Sequence, residues 1–182
     1  MNKKILFLVA HPHLLKSRAN RAVTEAVAAV EGITTHRLYD LYPYFHIDVE
    51  REQQILLQHD LIVVQHPFYW YSTPPLLKMW LDEVLESGWA YGPGGTALAG
   101  KDFLLSITAG GDFEAYTPAG SNRFTMETLL SPWQQTVQLC QMRWHRPRVL
   151  HASIRANDTD LHAHAERLCV DLVRYCAKGM LS

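Results

Sequence analysis

Short apolar runs alternate with stretches of helical periodicity along most of this chain. The first run, residues 5–10, is continuously apolar, and Pro12 follows it with no N–H to offer a β ladder. Such a run predicts a strand buried on both faces. Apolar residues then recur at helical spacing from Ala19 to Val30, and Ser17 stands where an N-cap residue is expected. The chain therefore opens as strand, loop and helix.

The same alternation predicts four more strands separated by helical segments. These strands are expected at residues 33–39, 61–64, 103–108 and 148–151. Helices are expected at residues 49–59, at residues 75–87, from Ser131 onward, and in a last segment capped by Asp158 or Thr159. Alternating strands and helices are typical of a parallel sheet covered on both faces. We therefore predict one domain over residues 1–182, a three-layer α/β/α fold with five parallel strands in the flavodoxin-like order 2-1-3-4-5.

Composition and charge narrow the classes of function. The chain has 182 residues, of which 48% are hydrophobic and 19% charged, as in folded domains rather than disordered chains. A net charge of −1 without a basic run gives no indication of a nucleic-acid partner. The apolar run at the start is too short for a secretion signal or a membrane span. We expect a cytoplasmic protein.

Cysteines and histidines give no indication of a metal site. Cys140, Cys169 and Cys176 are scattered, form no CxxC pair and fall on apolar positions of predicted helices, so we expect buried, reduced thiols. His162 and His164 are two residues apart on a helix and point to different faces. A metal site needs three or four converging ligands. We therefore predict no bound metal.

Three loops follow strands one, three and four, whose carboxyl ends meet at one edge of the predicted sheet. Residues 11–20 precede a helix start, where unpaired N–H groups and the helix dipole favour a phosphate. Residues 67–71 contain four consecutive aromatic side chains suited to a planar ring, and residues 108–111 end in paired glycines. The first two loops each have a plain structural explanation, a capped helix and aromatic packing at a subunit contact, and no single loop is diagnostic. Together the three loops predict a binding site for flavin mononucleotide (FMN).

The helix expected at residues 75–87 carries apolar residues on more than one side. This pattern favours burial on two sides, the second against another subunit, so we expect a homodimer. The alternative is that the helix lies under its own long loop.

Two sets of motifs lie between about residue 4 and about residue 150. The first set is His11-Pro12, Ser17-x-x-Asn20, Gln65-His66-Pro67-x-x-Trp70-Tyr71-Ser72-x-Pro74-Pro75, Gly88-x-Ala90-x-Gly92-x-Gly94-Gly95 and Thr108-x-Gly110. The second set is Tyr39-x-x-Tyr42-Pro43, Phe45-x-Ile47-Asp48 and Asn122-Arg123. The first set resembles the motifs of flavodoxin-like NAD(P)H:quinone oxidoreductases. With the second set, the resemblance is closest to the ancillary proteins of bacterial glutathione-gated potassium-efflux systems.

The resemblance implies FMN contacts in each of the three loops. Those implied around the phosphate and ribityl chain are His11, Ser17, Arg18, Ala19 and Asn20. Those implied along the flavin ring are Phe68, Tyr69, Trp70 and Tyr71. Those implied at the polar edge of the ring are Thr108, Ala109, Gly110 and Gly111.

The resemblance also implies a catalytic pair. In the quinone reductases a tyrosine after the glycine pair acts with a histidine six residues further on, and Tyr116 matches the tyrosine. Asn122 stands where the histidine would be, and an amide can donate a hydrogen bond but cannot take up a proton near neutral pH. Asparagine in place of histidine therefore bears directly on how fast the protein can catalyse the reaction.

Two functions follow from the resemblance. One is an FMN-dependent NAD(P)H:quinone oxidoreductase that transfers hydride through the flavin and also serves a potassium–proton antiporter as an ancillary subunit. The other is a regulatory subunit of that antiporter without significant reductase activity. Either role implies a peripheral position on the inner face of the membrane, through the antiporter's cytoplasmic part. A one-electron flavodoxin carrier is disfavoured, because such carriers are strongly acidic and this chain has a net charge of −1.

Overall fold

A parallel β-sheet forms the centre of the computed structural model, which describes residues 3–181. Its strands are β1 (Ile5–Val9), β2 (Ile33–Arg37), β3 (Leu61–Pro67), β4 (Asp102–Thr108), β5 (Arg143–Trp144) and β6 (Arg148–Leu150). Every pair of these strands is parallel, and the order is β2-β1-β3-β4-β5, with β6 also paired to β4. The predicted order 2-1-3-4-5 is confirmed.

The fifth position of the sheet is divided between two short segments, β5 and β6. Trp144 pairs with Phe103 and Arg148 pairs with Ser106, so three residues of one strand lie opposite two of β4. One residue of this bulge is Pro147, which cannot donate a ladder hydrogen bond. The strand expected at residues 148–151 corresponds to β6, whereas β5 was not anticipated.

Helices cover both faces of the sheet. They are α1 (Arg18–Ala28), α2 (Leu38–Leu41), α3 (Val49–Leu57), α4 (Pro75–Val84), α5 (Met126–Leu129), α6 (Ser131–Leu139) and α7 (Asp158–Lys178), with single 3-10 turns at Leu14–Lys16 and Glu114–Tyr116. Alternate residues of β1 point to opposite faces, so Ile5 and Phe7 pack under α1 and α7, whereas Leu6 and Leu8 pack under α3, α4 and α6.

Helix boundaries follow local capping chemistry. Ser17 caps α1 as expected, because its side chain accepts a hydrogen bond from the Asn20 N–H. The cap of α7 is Asn157, which accepts from the Asp160 N–H, so the expectation of Asp158 or Thr159 is wrong by one or two residues. The second strand is shorter than expected, because α2 begins at Leu38.

The apolar side chains of α4 are largely used inside the chain. Leu76, Leu77, Trp80 and Val84 are buried, and the remaining apolar positions of the helix are half-buried. The homodimer stays a prediction. Cys140 is buried, but Cys169 and Cys176 are partly exposed, so the expectation of three buried thiols is wrong for the latter two. Within residues 3–181, no helix combines the length and apolar character needed to cross a bilayer.

Candidate functional site

The carboxyl ends of β1, β3 and β4 open into one cavity of about 590 Å³. This volume lies within the range of about 300–1,000 Å³ that is usual for small-molecule sites. The three loops singled out in the sequence converge here, and a fourth loop, which follows β6, closes one side. The lining residues are His11, His13, Lys16, Ser17, Arg18, Ala19, Asn20, Pro67, Phe68, Tyr69, Thr108, Gly110, Ser153 and Ile154.

The amino end of α1 forms the cationic side of the cavity. The Ser17 side chain occupies the Asn20 N–H, but no described residue accepts a hydrogen bond from the N–H of Arg18 or Ala19. Lys16 and His13 line the same rim. Free N–H groups, the positive end of the helix dipole and nearby cations together suit a phosphate group.

Asn20 has a structural role, because both polar atoms of its side chain form hydrogen bonds within the protein. It is 2% exposed, and its Nδ2 donates to Ser17 Oγ at 3.0 Å and to Thr108 Oγ1 at 2.8 Å. Its Oδ1 accepts from Gln65 Nε2 at 2.7 Å. The amide thereby joins α1, β3 and β4 and fixes the positions of Ser17 and Thr108 at the cavity wall.

Arg18 connects the cavity to α7. Its guanidinium donates to the Ala156 carbonyl at 3.2 Å and to the Asp158 carboxylate at 2.6 Å. The same guanidinium lowers the pKa of Asp158, so the pair stays charged at neutral pH. The side chain therefore holds the start of α7 against the start of α1.

His11 is a neutral hydrogen-bond donor at the cavity floor. Its Nδ1 accepts from the His13 N–H at 3.0 Å, which leaves the proton on Nε2, 3.5 Å from Tyr69 Oη. Burial, together with the neighbouring His13, lowers the pKa of His11 to about 4. The imidazole therefore carries no charge at pH 7.

A strained turn presents the aromatic side chains after β3. The Ser72 N–H donates to the Tyr69 carbonyl at 2.9 Å, and the two residues between them, Trp70 and Tyr71, have φ of 48° and 62°. Non-glycine residues in this left-handed region cost about 1–2 kcal/mol each. The Trp70 side chain is 92% exposed, so contacts within the chain do not repay this strain. Such strain is typical of functional sites.

A second cavity of about 300 Å³ adjoins the first and shares Phe68 and Gly110 with it. The two candidate catalytic residues, Tyr116 and Asn122, both lie on its wall. Tyr71 Oη donates to Asn122 Oδ1 at 3.0 Å, which leaves the Asn122 Nδ2 available. Burial is the main cause that raises the pKa of Tyr116, so this phenol keeps its proton at neutral pH. The lining residues are Phe68, Trp70, Tyr71, Gly110, Gly111, Ala115, Tyr116, Ser121 and Asn122.

Both glycines of the pair lie close to neighbouring side chains. A Cβ on Gly110 would lie 3.2 Å from Ile154 Cδ1, and a Cβ on Gly111 would lie 3.1 Å from Tyr116 Cε2. Ala109 lies behind this wall. It is buried, its N–H donates to the Leu150 carbonyl, and its carbonyl accepts from the Ser153 N–H. Of the expected contacts, Ala109 alone lines neither cavity.

The loop after β6 supplies residues that the sequence did not reveal. Ser153 and Ile154 line the first cavity, and the His151 ring lies 5.5 Å from the Tyr116 ring, between centroids. His151 Nδ1 is buried and has no hydrogen-bond partner among the described residues. Burial lowers the pKa of His151. No motif marks these positions; only the position of β6 beside β4 brings them to the site.

No group of three His, Cys, Asp or Glu side chains within residues 3–181 is placed to hold a metal ion. The polar side-chain groups that line the two cavities are hydroxyl, amide, imidazole, guanidinium, ammonium and indole groups.

Comparisons with known proteins agree with this architecture. A family model described as "Flavodoxin-like fold" matches residues 3–172. A curated relative from Pectobacterium carotovorum subsp. carotovorum is 46% identical over 162 residues, which cover 89% of this chain and 88% of the relative. That relative is the glutathione-regulated potassium-efflux system ancillary protein KefG.

Solved structures share the fold over nearly the whole chain. A Treponema denticola protein described as general stress protein 14 in complex with FMN has a TM-score of 0.85 and 36% identity, with coverage of 90% and 94% of the two chains. A P. pentosaceus NADPH-quinone reductase has a TM-score of 0.82 and 28% identity, with coverage of 96% and 98%. A Streptomycin violaceusniger chain described as a thermophilic tryptophan halogenase has a TM-score of 0.87 and 42% identity, with coverage of 95% and 98%. Since the family model spans most of the sequence and the curated relative is similar over nine-tenths of it, this chain belongs to the flavodoxin-like family.

Proposed function

We propose that this protein is an FMN-dependent NAD(P)H:quinone oxidoreductase that also serves as an ancillary subunit of a glutathione-regulated potassium-efflux antiporter. The observation that carries the redox part is the convergence of a phosphate-type helix start, an aromatic turn and a glycine pair on adjoining cavities. A 36% identical neighbour is described with FMN, and a 28% identical one is described as an NADPH-quinone reductase.

The residues present fit FMN. The free N–H groups of Arg18 and Ala19, with Lys16 beside them, match a phosphate. Phe68 and Tyr69 offer flat apolar faces, and the glycine pair leaves room for a ring edge. When bound here, FMN supplies two-electron hydride transfer between a nicotinamide and a quinone.

The protein's own contribution is positioning and proton control. Asn20 and Gln65 hold Ser17 and Thr108 at the wall, and neutral His11 keeps a donor at the floor. Trp70, Tyr71 and Asn122 border the second cavity, where nicotinamide and quinone would bind in turn. The Tyr116 phenol and the Asn122 amide are donors for charge that develops on a reduced ring or an acceptor oxygen.

The ancillary role is supported by the 46% identical relative, which is named for a potassium-efflux system. In this proposed role, the protein would act at the inner face of the membrane, bound to the antiporter. A second candidate is the same ancillary role without significant reductase activity. Asn122 favours this candidate, because its Oδ1 is occupied by Tyr71 and its amide cannot take up a proton.

A flavin-retention experiment tests the redox role. Protein incubated with FMN and desalted is expected to keep flavin absorption bands, to lose them on anaerobic addition of NADPH, and to regain them with benzoquinone. Absence of retained flavin overturns the cofactor assignment, whereas retained flavin that NADPH does not bleach favours the purely regulatory candidate.

Two matched cap variants connect the retained flavin to the site. Ser17→Ala and Asp48→Ala each remove an N-cap, at α1 and at α3, and each should cost about 1 kcal/mol of stability. Only Ser17→Ala is expected to weaken flavin retention. Equal retention in the two variants would remove the start of α1 from the proposed site.

A further inference from the structure

A groove outside the flavin cavities runs between the open edge of the sheet and α7. Its volume is about 770 Å³. One wall is residues 146–149, on and just before β6, and the other is the face of α7 between Ala163 and Asp171. None of these residues lines the two cavities of the candidate site.

The edge of β6 presents unpaired backbone groups to this groove. The Leu150 carbonyl faces β4, because it accepts a hydrogen bond from the Ala109 N–H at 2.9 Å. Consecutive residues of a strand point their backbone groups to opposite sides, so the N–H and C=O of Val149 point away from β4. Within residues 3–181, β6 pairs with β4 alone. An extended segment of another chain can therefore add to this edge.

Arginines make the groove cationic. Arg146 and Arg167 are exposed and form no ion pair among the described residues. Arg148 already pairs with Asp171 at 2.8 Å, so those two charges cancel. Glu166 is the one other acidic residue lining the groove and is exposed to solvent. The groove therefore has an excess of positive charge, which favours a partner with acidic side chains.

His164 adds no charge to this balance. Its side chain is 7% exposed, and its Nε2 has no hydrogen-bond partner within the described part of the chain. Burial, with Arg167 and Arg148 nearby, lowers the pKa of His164 to about 4. The imidazole is therefore neutral at pH 7, and the arginines set the charge of the groove.

Apolar surface distinguishes this groove from a site for a bare anion. Val170 is 52% exposed on α7, and the half-buried Pro147 and Ala163 also line the groove. A small inorganic anion would use the arginines and leave the apolar surface and the open strand edge without a partner. A peptide in extended conformation uses all three features, since its side chains alternate and its backbone matches the edge.

We propose that the groove between β6 and α7 is a docking surface for an extended, acidic segment of a partner protein. Carboxylates of the segment would pair with Arg146 and Arg167, apolar residues at intermediate positions would cover Val170, and the backbone would bond to Val149. This proposal goes beyond the redox chemistry and does not depend on it.

Fluorescence anisotropy with labelled peptides tests the proposal on the full chain. The probe is a peptide that alternates aspartate or glutamate with valine, and its control carries lysine at every acidic position. The acidic peptide is expected to bind saturably and more weakly as salt is raised, and the lysine peptide is expected not to bind. No saturable binding of the acidic peptide at low salt would overturn the proposal.

Two sets of variants locate the binding. Arg146→Glu with Arg167→Glu should weaken the acidic peptide by at least about tenfold, whereas Arg21→Glu with Arg51→Glu, the same charge change elsewhere, should not. Val149→Pro removes the outward N–H and should weaken binding, whereas Val149→Ala keeps that N–H and should not. Circular dichroism and urea denaturation check that each variant is folded.

Three results would contradict the proposal. Equal weakening by the two arginine pairs would show that net charge alone attracts the peptide. Displacement by inorganic phosphate, with no effect of Val149→Pro, would identify a simple anion site. Arginine-dependent binding to vesicles that contain anionic phospholipid, without peptide binding, would make the groove a membrane contact.

Discussion

Tyr71 and Asn122 are fifty-one residues apart in sequence and share a hydrogen bond at 3.0 Å. The bond fixes the orientation of the amide: its oxygen faces the phenol, and its Nδ2 is left for a ligand. At this position the chain has a donor that does not titrate. Nearby His151 titrates, but it lies behind Tyr116 and does not line the second cavity.

We expect Asn122→His to give quinone reduction a new pH dependence. An imidazole titrates at about pH 6.5. The rate of quinone reduction by the variant should therefore change in a step around that pH, and the wild type should show no such step. Steady-state rates between pH 5.5 and about 8 measure it. Asn122→Ala is the control, with a lower rate and no new step; an unchanged profile in the histidine variant would separate this position from the proton transfer.

The glycine pair allows a sharper comparison, because its two members differ in what surrounds them. A Cβ on Gly111 meets the buried Tyr116 ring, whereas a Cβ on Gly110 meets the end of Ile154, a side chain that is 81% exposed and can move. We expect Gly111→Ala to destabilise the fold by about 1–3 kcal/mol and Gly110→Ala by less than about 0.5 kcal/mol. Urea denaturation of the two variants measures the difference, and equal losses would contradict the packing argument.

At the scale of elements, the turn from Tyr69 to Ser72 shows function taking precedence over local preference. A two-residue turn with both central φ values positive favours asparagine and glycine, yet this chain uses tryptophan and tyrosine. The helix start at Ser17 shows the opposite case, since local capping preference and the proposed phosphate site agree there.

Replacing Trp70 tests the strain in that turn. Asparagine tolerates the left-handed conformation, so Trp70→Asn should raise the free energy of unfolding by about 0.5–1 kcal/mol and weaken substrate binding at the second cavity. Trp70→Val is the control, since a β-branched residue disfavours positive φ and should lower stability. Chemical denaturation and KM for the quinone are the measurements; a less stable asparagine variant would argue against strain.

At the scale of the whole molecule, a buried carboxylate ties one side of the sheet together. Glu52 on α3 is fully buried and accepts hydrogen bonds from His36 on β2, from Tyr42, and from Trp80 on α4. Burial by itself raises the pKa of Glu52, but the hydrogen bonds from His36, Tyr42 and Trp80 outweigh it, and the pKa is lowered from its ordinary value. The Glu52 carboxylate therefore holds α3, β2 and α4 together.

The lowered pKa of Glu52 determines how this carboxyl makes the free energy of unfolding depend on pH. A carboxyl whose pKa is lower in the folded state stabilises the fold above its unfolded pKa and loses that contribution as pH falls through the folded value. Asp102, held by Arg143, His145 and Tyr175, has its pKa lowered to about 2 and acts in the same direction. The carboxyls should therefore lower the free energy of unfolding as pH decreases below about 4.5. His11 and His164, whose pKa in the folded state is lowered to about 4, take up protons in the unfolded chain at higher pH, so the loss of stability should begin below about pH 6.5.

We expect Glu52→Gln to lower stability at pH 7 by about 3 kcal/mol and to make the acid-induced loss shallower, because one of the titrating carboxylates is gone. Glu50→Gln, an exposed change on the same helix, is the control and should stay within about 0.5 kcal/mol. Urea titrations at pH 7 and pH 4 give both quantities. An unchanged acid slope in Glu52→Gln would assign the loss to other groups.

Local sequence chemistry by itself indicated the alternating strands and helices of a parallel sheet, the capped start of α1 and the three loops after β1, β3 and β4. The order 2-1-3-4-5 was predicted because that known arrangement fits five alternating strands. Strand burial, helical periodicity and capping depend on residues close in sequence, and the crossover rule fixes where the carboxyl ends of parallel strands meet. Tertiary structure alone decided that β6 brings Ser153 and His151 to the site, that Tyr71 orients Asn122, and that Gln65 locks Asn20. It also decided the exact cap of α7 and the division of the fifth strand. These are contacts between residues far apart in the chain, set by packing of whole elements, and no local pattern records them.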